Sequence, residues 1–221
     1  MNVELLTLSK PSAITGTNSA EEFLAYCARV SNPENQNNKK TAAGLVRYLI
    51  KNEHWSPFEM VSITMGIHTT RDISRQIIRH RSFSFQEFSQ RYAVPDGWTS
   101  RKARLQDPKN RQNSIELDPE MDGHAVLQGE WQNKQQRVMS ASLEAYKWAL
   151  QKGVAKEQAR AVLPEGLTNT MLYMSGTLRS WIHYCQLRMS NGTQKEHQEI
   201  AEKCWEIIGV HFPAVVKGVE G

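Results

Sequence analysis

The order of elements predicts an α+β fold: a small antiparallel or mixed sheet layered with several long helices, in a single domain. Three observations predict it. Strand patterns are few and do not alternate with helical ones, as a doubly wound parallel sheet would require. Helical periodicity dominates the second half of the chain. The length of 221 residues is ample for one core and short for two.

Residues 3–8 are short and apolar enough for a first strand. Ser19, with Glu22 three residues later, forms a capping box that opens a helix through Val30, burying Phe23, Leu24 and Cys27. After a polar, turn-rich stretch at 32–39, a second helix is expected over 41–52, with Leu45, Tyr48 and Leu49 on one stripe. The clearest strand is 61–68, where Val61, Ile63, Met65 and Ile67 alternate with Ser62, Thr64, Gly66 and His68. Thr70 and Asp72 suit the start of a helix that turns Ile73, Ile77 and Ile78 inward and runs towards Arg81.

Residues 93–119 are polar and carry no periodic pattern, which fits a mobile active-site loop in preference to plain disorder. A long helix follows over 130–152, with Met139, Leu143, Tyr146 and Leu150 at helical spacing and Gly153 as its stop. A shorter helix spans 155–163 and is closed by Pro164. Residues 170–174 suit a brief strand, and 177–189 a helix burying Leu178, Trp181, Ile182 and Cys185. Thr193 and Glu196 form a second capping box before a last helix aligning Ile200, Cys204, Trp205 and Ile208.

Composition narrows the function. Hydrophobic content of 39% with 23% charged residues describes an ordinary folded protein. No apolar run is long enough to cross a membrane and no basic stretch leads into an apolar block, so a cytoplasmic protein without a membrane partner is expected. Cys27, Cys185 and Cys204 lack the paired spacing of a zinc site or a disulfide framework, so reduced, packed thiols and no metal are expected. A formal charge of +4 fits an anionic partner, and a phosphorylated small molecule explains it as well as a nucleic acid does.

On the helix from Asp72 to Arg81, Arg75 and Arg79 are four apart, as are Gln76 and His80, forming adjacent polar rows. Arg75, Arg79 and Arg81 repel one another, and a bound phosphate would offset that through charge-assisted hydrogen bonds. By itself such a stripe is equally a solvated basic face. The segment Arg79-His80-Arg81-Ser82-Phe83-Ser84-Phe85-Gln86-Glu87-Phe88-Ser89-Gln90-Arg91-Tyr92 resembles the signature of the flavin-dependent thymidylate synthases: Arg-His-Arg, Ser, Asn, Ser and Arg-Tyr at fixed spacing. The one departure is Gln86 for Asn, which keeps the amide donor and acceptor on a longer arm. The likeness continues in order through 54–59, 155–164 and 177–196.

The resemblance implies reductive methylation of dUMP to dTMP, with methylenetetrahydrofolate as carbon donor and FAD, reduced by NADPH, as hydride carrier. It implies no cysteine nucleophile, which agrees with thiols that have no adjacent His. By resemblance, Ser56, Arg79, His80, Arg81, Glu87, Thr177, Leu178, Arg179 and His183 contact FAD. Gln76, Arg79, Glu87, Phe88, Ser89, Gln90, Arg91, Arg160 and Arg188 contact dUMP. Ser89 is assigned to binding because no general base accompanies it. Arg188 is the catalytic candidate, a cation near charge developing on the uracil ring; closing a helix C-terminus is the structural role for such a cation, and both can hold at once. His54 and Gln194 fall near the flavin or folate. The resemblance further implies a homotetramer with sites shared between subunits. Two other readings compete: a basic helical nucleic-acid-binding protein, without zinc spacing or an RNA-binding aromatic motif to support it, and a folded relative that has lost activity.

Overall fold

The alternating segment forms β2 (Ser62–Thr70), which turns Ile63, Met65 and Ile67 into the core and leaves Ser62 and His68 exposed. The computed structural model describes residues 1–221. In it β2 lies inside a four-stranded antiparallel sheet of order β1-β2-β6-β3, where β1 is Asn2–Leu8, β3 is Phe83–Glu87 and β6 is Asn169–Thr177. The brief strand expected at 170–174 is thus a full central strand, extended on both sides because pairing with β2 and β3 saves polar residues such as Asn169 and Thr177 from leaving backbone groups unpaired.

Apolar side chains of the sheet share one core with α1 (Ala20–Ala28), α2 (Ala42–Lys51), α6 (Leu178–Arg188), α7 (Lys195–His211) and α8 (Pro213–Glu220). Ser19 caps α1 by accepting from the Glu22 amide. The return arm of the expected box lands one residue early, with Glu22 accepting from the Asn18 amide. Leu24 is fully buried there, while Phe23 and Cys27 are half-buried. On α2 the buried stripe is Val46, Leu49 and Ile50, and Tyr48 stands 56% exposed, because α8 packs one residue further round the helix than the sequence pattern indicates. Helix α8, unforeseen, begins at Pro213, where a missing N–H costs nothing.

Five further expectations change. Helix α3 (Arg71–Ile77) stops before Arg79, so Ile78 is partly exposed and Arg79-His80-Arg81 form the turn between α3 and β3. The short helix after Gly153 splits into α5 (Lys156–Ala159) and a 3₁₀ turn at Arg160–Val162. Residues 93–119 contain a hairpin, β4 (Arg104–Gln106) with β5 (Ser114–Glu116), and Trp98 bridges Thr168. Helix α4 (His124–Gln151) begins earlier than its apolar spacing indicates. Helix α7 starts without the Thr193–Glu196 box, since the Glu196 carboxylate turns to Arg101 and Arg104 instead.

Candidate active site

Two short edges place the signature. The turn after α3 delivers Arg79, His80 and Arg81 beside the aromatic cluster of Phe83, Trp181 and Tyr184, whose rings meet edge-on at 4.9 to 5.9 Å. Strand β3 then carries the chain away, so Glu87 to Arg91 emerge at its far end. Four strand steps separate Phe83 from Glu87, about 13 Å.

At the near end, Nε of Arg188 donates to Nε2 of His80 at 2.9 Å. An arginine cannot accept, so His80 is neutral with its proton on Nδ1. Burial, reinforced by the Arg188 charge, pushes His80 down to about 4. Gln76 leaves α3 on the same side, and its Nε2 donates to Oε1 of Gln194 at 2.7 Å. The structure therefore joins four predicted residues in two hydrogen-bonded pairs, with the Tyr184 ring 4.9 Å from His80. Arg79 and Arg81 are exposed, and neither they nor Arg188 and Arg160 pair with a carboxylate. Such unneutralised guanidinium groups are what an anionic ligand requires.

A second group lies around the start of α6. Thr177 caps that helix by accepting from the Ser180 amide. Arg179 pairs with Glu59 at 2.6 Å, and the His183 ring stands edge-on to Trp55 at 4.7 Å. Burial, then the Arg179 charge, lower His183 from its ordinary range. Ser56 opens the adjacent 3₁₀ turn and is exposed, and His54 meets Tyr48 edge-on at 6.1 Å. Leu178 differs in kind: its side chain is wholly buried and its amide already donates to the Val61 carbonyl.

The third group is the loop after β3. Glu87 accepts from Thr170 Oγ1 at 3.0 Å and faces the buried Arg71 at 3.5 Å. Arg71 and Arg75 both reach Glu165; burial raises that carboxyl, yet the two guanidinium groups outweigh it and hold it low. Phe88 donates its amide to the Met171 carbonyl, and Tyr92 and Ala93 return theirs to Ser89, closing a turn. Gln90 is buried with its Nε2 lacking any acceptor. Arg91 pairs with Glu157 at 3.1 Å, and Arg160 donates to the Glu157 carbonyl at 3.2 Å. These two arginines thus gather with each other, and their partners are not Gln76, His80 or Arg188.

Sequence reasoning missed Arg71, Tyr184 and His197 and gave Glu196 only a capping role. The available signal was on α7, where Glu196 and His197 fall on the stripe of Ile200 and Cys204, at positions that otherwise bury apolar side chains.

The model of the thymidylate synthase complementing protein family matches residues 13–214. The chain belongs to the flavin-dependent thymidylate synthases. It is 50% identical, over all of both chains but 1% of the relative's, to a probable flavin-dependent thymidylate synthase of Paramecium bursaria Chlorella virus 1. Over the full length of both chains it is 46% identical to the flavin-dependent thymidylate synthase of Synechocystis sp.. Among solved structures, a UMP/dUMP methylase, PolB from Streptomyces cacaoi bound with 5-Br dUMP, superposes with a TM-score of 0.78 at 28% identity, covering 98% of this chain and 93% of that one. All three cysteines are free, and burial raises each thiol above its ordinary range.

Proposed function

We propose that this chain converts dUMP to dTMP, taking carbon from methylenetetrahydrofolate and reducing equivalents from NADPH through bound FAD. Thymidylate synthesis is the activity of the family to which it belongs. The observation that carries the reading onto these residues is the Arg188–His80 pair beside exposed Arg79 and Arg81, a cationic corner with no internal carboxylate to neutralise it.

The donor set fits a flavin dinucleotide. Arg79 and Arg81 would hold its diphosphate, with Ser56, Thr177, Arg179 and His183 along its length and the neutral imidazole of His80 against it. When bound, the flavin supplies hydride. The buried Gln90 nitrogen without an acceptor and the Ser89 hydroxyl fit the nucleotide, with Arg91 and Arg160 for its phosphate. Arg188 would place a fixed cation against negative charge on the uracil, favouring attack from its C5. Leu178 is left to shape the pocket floor from the core.

These groups stand at opposite ends of β3 in one chain, which favours a homotetramer with sites completed across subunits. Helix α4 supports the same reading: Val126, Leu127, Trp131, Val138 and Trp148 are exposed along it. The deciding experiment is anaerobic turnover of dUMP with methylenetetrahydrofolate, NADPH and FAD. Formation of dTMP is expected; purified protein that binds FAD and dUMP yet forms none would sink the reading.

A further inference from the structure

Glu196 and His197 are buried on the apolar face of α7, and both lead to one residue, Gln76, His197 by direct contact and Glu196 through Gln194. The buried Tyr184 hydroxyl lies 3.1 Å from Nε2 of His197. Nδ1 of His197 lies 3.4 Å from Oε1 of Gln76, whose Nε2 donates to Oε1 of Gln194 at 2.7 Å. Nε2 of Gln194 then donates to Oε2 of Glu196 at 3.0 Å. The series ends there, because the Glu196 carboxylate is held by Arg104 at 2.7 Å and by Arg101 at 3.6 Å. Burial raises that carboxyl, but its own backbone amide, Gln194 and the two arginines outweigh it and keep it ionised.

An ionised carboxylate only accepts, and this sets the polarity of every member. Gln194 must turn its NH₂ to Glu196 and its oxygen to Gln76. Gln76 must then turn its nitrogen to Gln194 and its oxygen to His197. His197 is left to donate from Nδ1 and to accept at Nε2 from the Tyr184 hydroxyl. The two ends of a glutamine carboxamide are nearly the same shape, so sterics alone would leave Gln76 free to flip. Here a flip sets the Gln76 oxygen against the Gln194 oxygen, acceptor against acceptor, whereas His197 and the Tyr184 hydroxyl can follow either orientation by exchanging donor and acceptor roles.

We infer that Glu196, acting through Gln194, is a positioning residue, which locks the Gln76 carboxamide in one orientation and so presents its remaining N–H and lone pair to the nucleotide in fixed places. The inference rests on the reading above, in which Gln76 contacts dUMP. Arg101 and Arg104 tie this control to the segment around the β4–β5 hairpin, and a cleft of ≈ 460 Å³ lined by both arginines, Trp131, Gln194 and Glu196 opens beside it.

The test is a double-mutant cycle on the FAD-loaded protein, with dUMP affinity read by calorimetry for wild type, Glu196→Gln, Gln76→Ala and the double variant. An amide at 196 offers Gln194 either pole, so the polarity is no longer imposed. Glu196→Gln is expected to weaken dUMP binding about tenfold, and the double variant to bind no more weakly than Gln76→Ala alone. A merely structural Glu196 would give additive losses instead. Gln194→Leu cuts the series while keeping the Glu196 charge with its two arginines, and the same non-additive pattern is expected of it should Glu196→Gln not fold. Wild-type protein that binds dUMP, with variants within twofold of it or with additive losses, overturns the positioning role and leaves the functional reading standing. Wild-type protein that binds no dUMP overturns both.

Discussion

His80 and His197 are held neutral by burial and by the same cation, Arg188, which pushes them to about 4 and about 3. In the unfolded chain each would titrate near 6.5, so between that pH and its folded value the unfolded state binds more protons. Stability from this source is complete above about pH 6.5 and is lost as pH falls towards 4. Carboxylates held low, such as Glu165, contribute only nearer their ordinary value of 4.5. Thermal unfolding of wild type should therefore lose stability between pH 6.5 and 5 more steeply than His197→Gln does; identical slopes would show that the His197 imidazole titrates normally. The thiols make the opposite case, since raised pKa values and burial leave no thiolate to attack a pyrimidine. Replacing all three cysteines by alanine should cost about 1 kcal/mol per buried site yet leave dTMP formation intact. Loss of activity in a folded, flavin-bound variant would contradict it. At this scale the sequence was a good guide wherever a motif names a side chain. It was a poor one for Arg71, Tyr184 and His197, whose roles depend on partners far away in the chain.

Among elements, β6 organises the site, because one end meets Phe83 and the other meets Glu87. Gly176 sits opposite Phe83, and a Cβ there would lie 2.4 Å from the ring's Cδ1. The ring cannot retreat freely, being edge-on to Trp181 and Tyr184. Gly176→Ala should thus cost about 1–3 kcal/mol in urea unfolding and loosen the turn that carries His80 and Arg81. An unchanged midpoint would mean the aromatic cluster yields more readily than its packing indicates. The same strand marks the limit of periodicity as a guide. Residues 61–68 alternate strictly and their strand was legible, whereas β6 mixes Thr, Ser and Gly with Leu and Met, and only its neighbours make it central. Helix boundaries failed for a related reason: α3 ends at Ile77 although the apolar spacing continues through Ile78, because the chain must turn to enter β3. The hairpin at Arg104–Glu116 was invisible to patterning, since ion pairs of Arg104 with Glu116 and Glu196 hold it rather than an apolar face.

For the whole molecule, the separation of Arg188 from Arg91 and Arg160 sets the question of how many chains build one site. Within a chain, Arg188 holds His80 at one end of β3 while Arg91 and Arg160 meet at Glu157 beyond the other. If a nucleotide contacts all three, a second subunit must bring its own Arg91 loop to the Arg188 corner of the first. Arg91→Ala and Arg188→Ala should each lower activity by a hundredfold or more, on the order of 3 kcal/mol for removing a charged hydrogen-bonding partner. Mixing the two inactive proteins, dissociating and reassembling them should then restore activity. With random mixing, half of the positions at each contributing corner are intact, so about a quarter of the sites combine an intact Arg91 with an intact Arg188. A site built within one chain behaves differently, because every chain in the mixture carries one defect and no reassembly repairs it. Recovery near a quarter in the mixture, with none in either variant treated alone, is the expected result. Activity that stays at the level of the separate variants, in particles shown by light scattering to be mixed oligomers, would place the whole site in one subunit and require the loop after β3 to fold back across the sheet edge.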